Sequence, residues 1–186
     1  MMSISQDKYV KEVVPAVKEE FGINNINAVP RIVKVCLNMG VGKAIDDAKM
    51  LDTARKNMTM ISGQAAAFTT SKVAISNFHL REGLRIGCRV TLRGARMYEF
   101  IDRLINVAIP RIRDFRGVKD NSFDKQGNYS LGIDDINIFP EINTDAAEYS
   151  FGMDCTFVIK NSTGAKMSRR FLKLLGMPFV EKETKE

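Results

Sequence analysis

Ile86 to Arg93 (IGCRVTLR) alternates strictly, with Ile86, Cys88, Val90 and Leu92 on one side of an extended chain and Gly87, Arg89, Thr91 and Arg93 on the other. Two guanidiniums and a hydroxyl on one side combine positive charge with hydrogen-bonding capacity, the chemistry that holds phosphates and ribose hydroxyls. Arg31 to Met39 (RIVKVCLNM) alternates in the same way. Val33, Val35 and Leu37 take one side, and Ile32, Lys34, Cys36 and Asn38 the other.

Further constellations carry weaker chemistry. Asn77-Phe78-His79-Leu80-Arg81-Glu82-Gly83 reads as a projecting loop in which Phe78 and His79 can stack on bases and Arg81 can bind phosphate; an ordinary connection is the alternative. Ile109 to Gly117 (IPRIRDFRG) packs Arg111, Arg113 and Arg116 around Phe115, either a solvated charged turn or a phosphate or protein contact. Asp134-Asp135 and Glu141 can be cast as an acid/base pair, but no nucleophile stands nearby, and an acidic face for a basic protein partner fits better. Gly40-Val41-Gly42-Lys43 follows a strand and precedes a helix, as phosphate-cradling glycines do. It fails in detail: Leu37 stands where a Walker loop needs its first Gly, Ala44 where it needs Ser or Thr, and Ile45 where a dinucleotide fingerprint needs Gly or Ala. A small nucleotide-dependent enzyme built on this turn is the rival reading. With His79 the only histidine and Cys36, Cys88 and Cys155 far apart in strand-like runs, neither a metal site nor a histidine-based triad is expected, and the cysteines read as buried reduced thiols.

The charge is segregated. Lys and Arg outnumber Asp and Glu by 17 to 7 over residues 31–119, whereas residues 120–158 hold 1 against 8, within a chain of net charge +6. A basic half beside an acidic quarter points to a polyanion for the first and a basic partner for the second, to which Asp134, Asp135, Glu141 and Asp145 contribute. Hydrophobic content of 45% and charged content of 27% are those of a globular domain, and 186 residues make one domain, 1–186, the default. The N-terminus lacks a signal-peptide pattern and no run is long and apolar enough for a membrane span, so a cytoplasmic protein without membrane contact is expected.

Several elements must position these residues. Helical spacing of Val10, Val13, Val14, Val17 and Phe21 predicts a helix over 6–21 ending at Gly22, with Pro15 disturbing its first half. Asp46 or Asp47 caps a second helix with Met50, Leu51, Ala54, Met58 and Ile61 on its apolar stripe, ended by Ser62-Gly63. A short strand over 65–69, the 86–93 strand, a helix from Met97 to Ile109 stopped by Pro110, strands at 128–132 and 153–160, and a helix over 166–175 follow. The order lacks βαβα regularity. It therefore predicts an α+β fold of two layers, a mostly antiparallel sheet with helices packed on one face and an open face presenting Lys34, Asn38, Arg89, Thr91 and Arg93 to RNA.

Longer runs carry a resemblance. LREG (80–83), IGCRVTLRG (86–94), RMYEF (96–100), IPRIRDFRG (109–117), VPRIVKVCLNMGVG (29–42), SGQ (62–64), SFDKQGNYSLGI (122–133), IFPEI (138–142), GMD (152–154) and LLGMPF (174–179) resemble, in order and spacing, the bacterial large-subunit ribosomal protein family numbered five, which binds 5S ribosomal RNA. The resemblance implies a non-enzymatic protein without cofactor or metal that seats 5S rRNA in the central protuberance and touches large-subunit rRNA. It further implies a loop reaching peptidyl-site tRNA, carried here by Asn77 to Gly83, and a bridge to a basic small-subunit protein, for which Arg111, Arg113, Arg116, Asp134, Asp135, Glu141 and Asp145 are candidates. Asn38, Gln64 and Thr91 match the family's RNA-facing polar positions; Lys34, Lys72, Arg89 and Arg93 complete the expected 5S rRNA set. The chain departs from the family pattern where Ala65, Thr70 and Val73 replace residues that are often basic, Ala66 a common proline, and His79 a usual lysine. Its C-terminus also runs on from Val180 to Glu186. These departures shift the weight of RNA binding toward the arginines of the 89–93 strand.

Overall fold

The computed structural model describes residues 4–42, 47–142 and 149–180. Its strands are β1 (Arg31–Gly40), β2 (Ala67–Thr70), β3 (Arg85–Leu92), β4 (Tyr129–Ile133) and β5 (Met153–Lys160), and its helices are α1 (Ile4–Lys8), α2 (Val14–Phe21), α3 (Ala48–Ser62), α4 (Gly94–Arg103) and α5 (Ala165–Leu175). The strands form an open antiparallel sheet in the order β2-β3-β1-β5-β4, the α+β class expected. By compactness the chain divides into a first unit of Met1–Val35, Arg93–Leu131 and Thr156–Glu186, and a second of Cys36–Leu92 and Gly132–Cys155.

In the first unit, α1 and α2 are joined by a π turn, Tyr9–Val13, in which the Val14 amide donates to the Tyr9 carbonyl. Pro15 follows directly at the start of α2, where a missing N–H costs least, and Gly22 closes the helix at φ 64. The expected helix therefore forms, with Pro15 absorbed as a local change of pitch. Asp102 of α4 accepts hydrogen bonds from both the backbone amide and the hydroxyl of Ser5. Phe100, Ile101 and Leu104 are fully buried in this unit, as are Tyr129, Phe157 and Phe171. The Tyr129 ring packs 4.7 Å from Phe123 and 5.4 Å from Phe179, and its hydroxyl donates to the Lys119 carbonyl at 2.8 Å.

The second unit is built on α3 packed against β3. Asp47 caps α3 by accepting from the Lys49 amide at 2.9 Å, and Gly63 ends it in the left-handed region at φ 64. Leu51, Ala54, Met58 and Ile61 bury as their spacing predicts, in the same core as Cys88, Val90 and Leu92 of β3 and Leu37 and Met39 of β1, whereas Met50, in the first turn of α3, is only half-buried. Burying each such aliphatic chain is worth about 1.5–3 kcal/mol, so this stripe holds the sheet's outer half. One expectation is corrected: Ile32 is buried, so β1 joins its alternation only from Lys34 onward. Gly87 keeps the side of Arg89 but is closely covered there, since a Cβ would stand 2.7 Å from the Met39 carbonyl oxygen and 2.9 Å from the Thr69 hydroxyl.

Candidate nucleic-acid interface

The open face belongs to the second unit and is set by the pairing of three strands. β2 runs antiparallel to β3, with Ala67 opposite Arg89 and Thr69 opposite Gly87. The Val41 amide donates to the Ile86 carbonyl at 2.9 Å and the Cys36 thiol meets the Thr91 hydroxyl at 4.0 Å. An antiparallel register meeting both contacts sets Asn38 opposite Arg89 and Gly40 opposite Gly87. Rows of side chains thus cross the face: Ala67, Arg89 and Asn38; Thr69, Gly87 and Gly40; Thr91 and Cys36. Asn38, Arg89 and Thr91 are exposed while their neighbours Leu37, Met39, Cys88, Val90 and Leu92 are buried, as the alternation of the sequence predicts.

Gln64, which follows Gly63 at the end of α3, reaches this face: its side-chain amide donates to the Thr91 carbonyl at 3.4 Å. The Ser62 hydroxyl supports the turn by donating to the Gln64 carbonyl and accepting from its amide, at 2.9 and 3.3 Å. Asn38 and Arg89 are exposed and make no side-chain hydrogen bond or ion pair with another described residue. Cys36 is half-buried on the open face, which corrects the expectation of three buried thiols; Cys88 and Cys155 are buried and all three are free. Burial pushes the Cys88 thiol up to about 11, opposed only by the nearby positive charge of Arg55, so it is an inert core sulfur. The centre of the face is small-chained, with Gly40, Gly87, Ala67 and Cys36 between the longer polar groups.

Lys72 is exposed at the base of the 71–84 hairpin. That hairpin is closed by Ser71 amide to Leu84 carbonyl, Gly83 amide to Ser71 carbonyl, and paired bonds between Ile75 and Leu80. Asn77, Phe78, His79, Arg81, Glu82 and Gly83 are exposed, Leu80 half so. Phe78 is 66% and Val73 63% exposed, and His79 sits at φ 52 at the tip. The loop projects as expected, and its apolar side chains face solvent.

Lys34 and Arg93 fall in the first unit, half-buried and exposed respectively; Arg111, Arg113 and Arg116 are exposed there too. In the second unit Asp134 is exposed. Asp135 is half-buried and spends its carboxylate on the amide and side chain of Asn137, at 3.0 and 3.2 Å. Glu141 is half-buried, so of the expected acidic face only Asp134 is a freely solvated carboxylate among these; Asp145 lies outside the described residues. Lys43, the last residue of the Gly40-Val41-Gly42-Lys43 turn, does too. The Val41 amide of that turn is spent on Ile86 and is not free to cradle a phosphate.

One constellation went unread in the sequence. The guanidinium carbons of Arg55 (α3) and Arg85 (β3) each lie 4.7 Å from the centroid of the Phe68 ring on β2. Neither arginine stands at a helical or strand spacing from Phe68, so no periodicity connects them.

Residues 25–81 match the family model of ribosomal protein L5, and residues 85–179 match the model of that ribosomal family's C-terminus. The chain is 51% identical over 177 residues to the large ribosomal subunit protein uL5 of Clostridium kluyveri, covering 95% of this chain and 97% of the relative. It is 51% identical over 180 residues to uL5 of Ruminiclostridium cellulolyticum (97% and 99% covered) and 50% identical over 180 residues to that of a Thermoanaerobacter species (97% and 100%). Two family models that together span most of the sequence, and relatives half identical over nearly all of it, place this chain in the ribosomal protein L5 family.

Proposed function

We propose that this protein is a structural constituent of the large ribosomal subunit, working in the cytoplasm as one functional domain, and that its open sheet face binds 5S rRNA and helps attach it to large-subunit rRNA in the central protuberance. The observation that carries the reading is the row arrangement of β2, β3 and β1, which sets Arg89 beside Asn38 and Thr91 beside Cys36 on a face whose middle is glycine, alanine and cysteine. A-form RNA offers a wide, shallow minor groove lined with 2′-hydroxyls. Short side chains let that groove approach the sheet closely, Thr91 and Asn38 are sized to bond hydroxyls and base edges, and Arg89, with Lys34, Lys72 and Arg93, supplies charge for phosphates. Gln64 holds the Thr91 strand from one side through its side-chain nitrogen and keeps its side-chain oxygen, Oε1, for the RNA.

The 71–84 hairpin fits a contact with peptidyl-site tRNA. Its tip is fixed by backbone hydrogen bonds yet leaves Phe78, Val73 and Ile75 in solvent, an apolar surface that a monomer has no reason to keep. Phe78 and His79 can stack, and Arg81 can meet phosphate. Contact with a basic small-subunit protein is assigned to the acidic segment around Asp134, with Arg111, Arg113 and Arg116 as further contact candidates. An enzyme built on Gly40 to Lys43 is not favoured, because the relatives are ribosomal proteins and not catalysts.

Titrating 5S rRNA into the protein at several salt concentrations tests the reading. Affinity should fall with salt at a log–log slope of roughly −0.7 to −0.9 per phosphate neutralised. Absence of binding, or a salt-insensitive affinity, overturns it.

A further inference from the structure

We propose that Arg55, Phe68 and Arg85 form a second anion site, which grips the phosphate backbone of ribosomal RNA at the β2 edge of the sheet. The inference rests on the RNA-binding reading above but uses none of the open-face residues. It starts from an irregularity in pairing. The register of β2 on β3 slips between Thr69 and Thr70, so that Thr70 faces Arg85 and Ile86 is the extra residue of a bulge. Regular alternation from Arg89 and Gly87 would put Arg85 on the open face. The bulge turns it instead to the side of Phe68, which is paired with the buried Cys88.

There Arg85 meets Arg55, which arrives from α3. Both guanidinium carbons lie 4.7 Å from the Phe68 centroid, and so stand no more than twice that distance apart. Two like charges this close repel. The ring offsets part of the cost through its negative faces, and the Arg55 Nε bond to the Ala66 carbonyl, at 3.0 Å, pins one of the pair. Neither arginine forms an ion pair with a described carboxylate, and both are exposed. With its Nε engaged, Arg55, an exposed residue, still has two terminal nitrogens able to donate to a phosphate.

Two guanidiniums gathered on the Phe68 ring of the edge strand, without an ion pair to a described carboxylate, match a polyanion better than any other partner, and the 17-to-7 excess of basic over acidic residues across 31–119 gives the surroundings the same sign. The site also answers the loss of basic residues at Ala65, Thr70 and Val73. Charge absent from the strand and its loop is supplied from the neighbouring helix and strand, with Phe68 as the platform.

The experiment compares wild type with Arg55→Gln/Arg85→Gln in salt titrations against two probes, 5S rRNA and protein-free large-subunit rRNA, which separates the two sources of phosphate. Removing two phosphate contacts should reduce the salt slope by roughly 1.4 to 1.8 on one of the RNAs and lower its affinity on the order of ten-fold near 0.1 M salt, with an unchanged melting temperature. Arg85→Gln alone, at the exposed start of β3, should remove about half of the slope change and keeps the test open where the double variant folds poorly. A folded variant with wild-type slope on both RNAs overturns the proposal and leaves the arginines as cover for the Phe68 ring. Failure of the wild type to bind 5S rRNA overturns the open-face reading instead, and the large-subunit rRNA titration still decides the stack.

Discussion

Gln64 and Thr91 are joined side chain to backbone: the Gln64 side-chain amide donates to the Thr91 carbonyl at 3.4 Å, while the Thr91 hydroxyl, on the open face, meets among the described residues only the Cys36 sulfur, at 4.0 Å. A thiol is a weak partner, so the hydroxyl keeps nearly all its hydrogen-bonding capacity for a ligand. Thr91→Val keeps the β-branched shape and removes that capacity. It should weaken 5S rRNA binding by about 1 kcal/mol while leaving the melting temperature essentially that of wild type. Asn38→Ala, one row away, should do the same. Wild-type affinity in both folded variants would show that RNA does not use this face.

Gly87 is predicted to tolerate no side chain. In Gly87→Ala the new Cβ would stand 2.7 Å from the Met39 carbonyl oxygen, which is backbone of the neighbouring strand and cannot turn away. Overpacking of this kind costs about 1–3 kcal/mol. Denaturant melts should show the loss, and because Gly87 lies between Thr69 and Gly40, RNA binding should fall with it. A variant as stable as wild type would mean that β1 and β3 separate more easily than their hydrogen bonds imply.

Much of this face was legible in the sequence because alternation has a period of two and needs no knowledge of the partner strand. Arg89 and Thr91 read outward and Val90 and Leu92 inward, and β5 is delimited at Met153 and Lys160 by the same rule, as found. That rule puts Gly87 on the open side but cannot tell how closely its neighbours cover it there, which only the paired strands reveal. It also cannot reach Arg85: a bulge shifts the face of one strand end, and its cause lies in β2, whose pairing is not written in β3. Gln64 offers no periodic signal either. Its role depends on Gly63 turning the chain at φ 64 so that residue 64 falls beside Thr91, a link that comes through family resemblance alone.

Acid should probe the start of α3. Asp47 has its carboxyl held below its usual value of 3.8, first by the Tyr149 hydroxyl, which donates to Oδ2 at 2.8 Å, and next by the Lys49 amide at the helix cap. A carboxyl depressed in the folded state adds stability that is present above the unfolded value and is lost as pH falls through the folded one. In Tyr149→Phe the Asp47 titration should therefore move up toward the usual carboxyl value, and the acid limb of the stability curve with it. Carbon-detected NMR titration of the Asp47 carboxyl reads this directly; an unmoved midpoint would mean that the cap alone holds the charge.

The acidic segment is predicted to serve a protein partner through Asp134. Residues 120–158 hold eight acidic side chains against one basic, a surface that a phosphate backbone repels and a basic ribosomal protein attracts. Within the segment the carboxylates are not equivalent. Asp135 caps the turn at Ile136–Ile138 through Asn137, so reversing its charge would unsettle the turn as well as the field. Asp134 is exposed and has no such duty, which makes Asp134→Lys the clean variant. It should leave 5S rRNA binding intact or slightly tighter. Association of the small subunit with large subunits carrying the variant should weaken, most at low salt, where the Debye length is longest, and recover toward wild type as salt rises. Sucrose-gradient profiles of reassociated subunits across a salt series would display that dependence. Lost 5S rRNA binding with unchanged subunit association would assign this surface to RNA and end the division of labour between the basic and acidic parts of the chain.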